Sequence, residues 1–189
     1  MDIDQIRWDG MLAEFRSLGG VADNVCLKEG QFGRGIFPID PSKPVDIHIP
    51  ESLLIDVQHL HFAHADIKVG PESPAGVREK AFIERYEREF SWGVHRRFTV
   101  DLMKEFQASS PELRALMESP LDLGPWLVEI NPKSIAERFF GSRGISYGDR
   151  AVVMPIIELA NHGTGTTYKV GNGIRLGGQF EGEVLVWQR

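Results

Sequence analysis

Two short polar stretches carry residue types that could do chemistry. The first is residues 158–163, Glu158-Leu159-Ala160-Asn161-His162-Gly163, hung on the apolar run of residues 152–154. The β-branched run reads as a short buried strand, and Pro155, which cannot donate to a ladder, should end it. Asn, His and Gly tolerate irregular backbone, so the chain there can turn a row of N–H and C=O groups outward, suited to an adenine edge or another flat polar ligand. Alone, the segment reads as an ordinary turn. The second stretch is Gly33-Arg34-Gly35-Ile36-Phe37, where two glycines let the backbone come close to a ligand. Alone, it reads as a hairpin turn. A third pattern, His59, His61 and His64, has metal-like spacing, since on a strand the first two would share a face; alternating packing with Leu60 and Phe62 is the reading the residues favour.

The elements that must hold these residues follow from periodicity. Residues 2–18 read as an amphipathic helix carrying Ile3, Ile6, Met11, Leu12, Phe15 and Leu18, weakened at Gly10 and ended by Gly19-Gly20. Residues 25–28, 35–39, 45–48 and 53–55 read as short strands punctuated by Pro38, Pro41, Pro44 and Pro50, which indicates small sheets and not a parallel α/β core. From Ser73, a possible cap with Pro74 in the first turn, the period becomes helical, with Phe82, Tyr86 and Phe90 four apart. Further helices are expected to carry Val94, Phe98, Leu102, Met103 and Phe106, then Leu113, Leu116 and Met117, then Ile135, Phe139 and Phe140. Residues 167–170, 173–176 and 183–187 read as closing strands.

Taken in this order, Gly33-x-Gly35-Ile36-Phe37, Ser142-Arg143 and Glu158-x-x-Asn161-His162 resemble the SET-domain methyltransferases, and among them the RuBisCO large-subunit methyltransferase type. The resemblance covers about residues 21–56 and 133–188. It implies an α+β, SET-type fold of several small β-sheets with a helical insert. The division would be an N-terminal helix (1–20), a first SET half (21–56), a mainly helical insert (57–132) and a second SET half with the Asn-His motif (133–189).

The resemblance also implies an activity: transfer of a methyl group from S-adenosylmethionine to a lysine side chain of a protein or peptide. By that likeness Gly33, Arg34 and Gly35 would hold the methionine part of the cofactor through backbone groups, and Asn161 and His162 the adenine and the fold around it. Arg143 would pair with the cofactor carboxylate or with Glu158, as a planar guanidinium suits. Tyr168 would line the lysine channel. The family's last strand delivers a tyrosine, and here Gln188 stands where it is expected, with Trp187 one position earlier. That departure leaves open a catalytically inactive SET-like binding module, and the histidines leave open a metal-dependent enzyme.

Composition narrows the classes further. At 189 residues the chain suits one domain, and its 42% hydrophobic and 25% charged residues are those of an ordinary globular protein. A net charge of -6 argues against a nucleic-acid surface and fits a basic peptide partner. One cysteine, Cys26, excludes an internal disulfide and a cysteine-rich zinc cluster. No apolar run is long enough to span a bilayer and no basic-then-apolar leader is visible, so the cytoplasm is the expected compartment. No pattern in the chain specifies an oligomeric state.

Overall fold

The computed structural model describes residues 3–63, 66–91, 104, 108–113 and 143–186. His64, Ser142, Trp187, Gln188 and most of the helices expected after residue 91 lie outside these residues. What is described is an α+β arrangement of several small, mainly antiparallel sheets and two longer helices.

Helix α1 (Ile3–Ser17) buries Trp8, Met11, Leu12 and Phe15, the i, i+3, i+4, i+7 stripe of a helix lying on a core. Ile6, expected on that stripe, is 51% exposed, and Trp8 takes its place inside. Gly10 falls on the open side, and Gly19 ends the helix at φ +89° with its N–H donating to the Arg16 carbonyl. Helix α2 (Val77–Glu89) starts from Gly76, later than Ser73. Ser73 instead accepts from the Ala75 N–H and so shapes the approach turn. The four-residue stripe holds: Phe82 and Tyr86 stack at 6.1 Å, Tyr86 and Phe90 at 6.5 Å, and Phe90 meets the Trp8 ring edge-on at 5.4 Å. These rings join the two helices.

Strands β1 (Val21–Asp23) and β4 (Val45–Ile49) pair with β11 (Gly173–Gly178) and β10 (Lys169–Gly171) in one sheet, ordered β1-β4-β11-β10. On β4 and β11 the alternate residues Val45, Ile47, Ile49, Ile174 and Leu176 face the core. Three antiparallel pairs stand beside it: β2 (Val25–Gly30) with β3 (Gly33–Pro38), β5 (Leu60–Ala63) with β6 (Asp66–Val69), and β7 (Gly144–Tyr147) with β8 (Arg150–Val153). Residues 53–55 are not a strand: Pro50 leads into a 3-10 turn, Glu51–Leu53, in which the Leu53 N–H donates to the Pro50 carbonyl and the Leu54 N–H to the Glu51 carbonyl. The last pair, β9 (Asn161–Thr166) with β12 (Leu185–Val186), is parallel and bulged. No described helix is long and apolar enough to cross a membrane.

Cys26 lies on β2 with its thiol 3.5 Å from the Phe37 carbonyl, and burial pushes the thiol above its ordinary value. A buried thiol with little thiolate is a poor nucleophile. Folded protein is therefore expected to leave Cys26 unlabelled by an aromatic disulfide reagent at neutral pH, with one thiol released per chain on denaturation; stoichiometric labelling before unfolding would contradict this placement.

Candidate functional site

Strand β8 delivers the chain to Met154 and Pro155, where it reverses through an unusual turn. Ile156 adopts φ 71°, ψ −59°, and the Ile157 N–H donates to the Pro155 carbonyl at 2.9 Å. This is the strained positive-φ form of the γ-turn, rare for a β-branched residue. Full burial of the Ile156 side chain holds it in place. A 3-10 turn (Ile157–Leu159) follows and sends Glu158 inward. Asn161 then opens β9, so Asn161-His162-Gly163 is the start of a strand, not the turn expected from its residue types. The reason is packing. A Cβ on Gly165 would lie 1.8 Å from the Leu185 carbonyl oxygen, and one on Gly163 2.8 Å from the Leu185 side chain. Glycine lets two backbones approach that side chains would hold apart.

Glu158 is the electrostatic centre. Its side chain is 2% exposed; Oε1 accepts from the Tyr86 hydroxyl at 2.9 Å, and Oε2 lies 3.4 Å from the Arg143 guanidinium. Burial raises the Tyr86 hydroxyl well above its ordinary value, with the Glu158 charge adding to it, so the phenol remains a donor. For Arg143, burial works against the charge, and Glu158, with Tyr86 and Glu87, outweighs it. The guanidinium is firmly charged.

The two sequence motifs meet. The Asn161 amide nitrogen is 3.4 Å from the Arg34 carbonyl oxygen, across 127 positions of chain. The same nitrogen donates to Glu183 Oε1 at 2.5 Å. Gly35 is what allows this: a Cβ there would lie 2.3 Å from Glu183 Oε1 and 2.8 Å from the Asn161 amide nitrogen. Arg34 is divided between two environments. Its carbonyl faces Asn161, while its guanidinium turns away and donates to the Phe90 carbonyl. That side chain borders a separate cleft of about 380 Å³ with Trp8, Lys28 and Phe90. Gly33, at φ +89°, forms the exposed hairpin turn with Gly30 opposite and nothing within 4 Å of a would-be Cβ.

Arg143, Glu158, Asn161, His162 and Tyr168 line one cleft of about 220 Å³, with Met154 among its apolar walls. Five of the eight residues singled out by sequence thus share one hollow. Gly35 and the Arg34 carbonyl buttress Asn161, and Gly33 stands apart. Partial burial raises the Tyr168 hydroxyl, which keeps it protonated at neutral pH. His61 is exposed, and among the described residues no three His, Cys, Asp or Glu side chains are grouped to hold a metal.

Sequence reasoning missed two residues that support the site from behind its lining. Tyr86 belongs to a helical aromatic stripe, and its hydroxyl partner is 72 residues away. Glu183 lies in the closing strand region, and no local pattern marks its seat between Gly30 and Gly35.

The class defined by fold and site is an α+β protein of small sheets, with a polar cleft built around a buried carboxylate and a buttressed carboxamide. Comparison with protein-family models, with curated proteins and with solved structures finds no match to this chain.

Proposed function

We propose that the cleft is the cofactor site of a SET-type methyltransferase that moves a methyl group from S-adenosylmethionine to a lysine of a protein or peptide. The observation that carries this reading is the contact between the glycine-paired hairpin and Asn161, the juxtaposition such a site requires. Had these motifs lain on opposite faces, the reading would have no support.

The donor set suits part of the cofactor. Asn161 and the backbone at His162 offer hydrogen-bonding groups to an adenine or an amino-acid end, and Met154 and Ile157 offer apolar wall. A cleft of about 220 Å³ is smaller than pockets that enclose a whole drug-sized ligand, so it accounts for one end of the cofactor. Of the two partners expected for Arg143, the geometry favours Glu158, which makes the arginine a brace of the cleft wall.

When bound, S-adenosylmethionine supplies a methyl group already activated by its sulfonium, so the protein needs only to align the groups, exclude water and receive a neutral amine. A lysine of ordinary pKa near 10.4 is protonated at neutral pH and must lose its proton on entering a less polar channel. Tyr168 lines the same cleft, and its protonated hydroxyl would orient a polar group there.

Calorimetric titration with S-adenosylmethionine is expected to give saturable binding to the folded chain, and Asn161→Ala is expected to weaken it by about a hundredfold, equivalent to about 2.8 kcal/mol. No heat with the wild-type protein would overturn the proposal. Incubation with cofactor labelled on its methyl group and a protein extract separates a catalyst from a SET-like binding module: labelled protein excludes the module.

A further inference from the structure

We propose that Glu183 is a positioning residue that fixes which end of the Asn161 side-chain amide faces the cleft. Val184 is fully buried, and its N–H donates to the Ile36 carbonyl at 2.8 Å, which fastens this segment alongside β3. Successive side chains of an extended segment alternate in direction, so Glu183 projects away from the side that buries Val184. Its carboxylate is seated on two residues without side chains. A Cβ on Gly30 would lie 2.6 Å from Oε2, and one on Gly35 2.3 Å from Oε1.

The seat determines the chemistry of Asn161. Its Nδ2 is 2.5 Å from Glu183 Oε1 and 3.4 Å from the Arg34 carbonyl oxygen. A backbone carbonyl and an ionised carboxylate can only accept, and an amide NH₂ has two protons to give. Turning the amide over would set its oxygen against two acceptors, so that arrangement is excluded on electrostatic grounds. Oδ1 is the hydrogen-bonding group that Asn161 has left for the cleft, and a ligand group that bonds Asn161 there must be a donor. Glu183 does not line the cleft; it acts through Asn161.

The role can be read without any ligand, and so independently of the proposed cofactor. In ¹H–¹⁵N spectra of the ligand-free protein, the Asn161 side-chain resonances, assigned by their loss in Asn161→Ala, are expected as two separate protons shielded from solvent exchange. Glu183→Gln keeps the shape but removes the charge and can turn a donor towards Asn161; exchange is expected to rise about tenfold. Unchanged exchange and shifts in Glu183→Gln would overturn the assignment.

A second measurement rests on the methyltransferase reading. Glu183→Gln is expected to weaken S-adenosylmethionine binding about tenfold and to cause no further loss on an Asn161→Ala background. Losses that simply add would show that Glu183 acts elsewhere. Absence of cofactor binding by the wild type would sink the cofactor reading while the resonance measurement still decides the role of Glu183.

Discussion

Glu158→Ala is expected to destabilise the fold by about 3 kcal/mol or more, read as a shift in the urea unfolding midpoint against wild type. The expectation follows from what the carboxylate does. It is 2% exposed, and both the Tyr86 hydroxyl and the Arg143 guanidinium face it. Removing one member of a buried ion pair leaves the surrounding polar groups desolvated without their counter-charge, which costs far more than the net worth of the intact pair. Tyr86→Phe should cost less, about 1–2 kcal/mol, because it removes one hydrogen bond and keeps the ring stack. The double variant should lose less than the sum, since both changes delete the same contact. A loss below about 1 kcal/mol for Glu158→Ala would mean that the site is wetter than its burial indicates.

The second large effect is expected at Gly165. Its Cβ would sit 1.8 Å from the Leu185 carbonyl oxygen, a backbone atom that cannot swing aside as a side chain can. Gly165→Ala must therefore push β9 from β12, and a cost of about 3 kcal/mol is expected from overpacking and lost ladder bonds. The cleft should suffer with it, because Asn161 is on β9 and Val186 on β12. Gly10→Ala is the control. That site is helical, exposed and open, so the same change should stabilise by about 0.5–1 kcal/mol. Equal thermal unfolding of Gly165→Ala and wild type would contradict the close parallel pairing.

Much of this architecture was legible from local pattern. The stripe of α1, the four-residue aromatic repeat of α2 and strands β2, β3 and β4 follow from local pattern, while the short β1 carried no signal of its own. The errors are equally physical. Residues 53–55 carry strand-like side chains, but Pro50 leads into a 3-10 turn that takes up the Leu53 and Leu54 N–H groups, and the Ile55 carbonyl accepts instead from the distant Val153 N–H. Asn161-His162-Gly163 has turn-like residues and is a strand, because Gly163, and Gly165 further along β9, answer to Leu185 and not to local conformation.

The candidate site divides along the same line. Arg143, Glu158, Asn161, His162 and Tyr168 could be singled out by type and order, and the structure gathers them around one cleft. Tyr86 and Glu183 could not. Each is a common residue whose importance lies in a single partner on a distant element, Glu158 for one and Asn161 for the other. The Ile156 turn was hidden for a similar reason: a β-branched residue at positive φ runs against its own preference and is held there by complete burial and by the bond that closes the turn.

The bond from Asn161 to the Arg34 carbonyl also has a consequence in time. The β2–β3 hairpin can close as soon as it leaves the ribosome, while its partners, 127 and more positions later, are still being synthesised. At ordinary elongation rates that delay is on the order of ten seconds, long beside the microseconds in which a hairpin forms. Throughout it, Gly30 and Gly35 present an uncovered backbone surface on a nascent chain. The wall that Val186 of β12 gives the cleft is thus completed late, and premature termination before Glu183 yields a chain whose hairpin lacks the carboxylate that covers it.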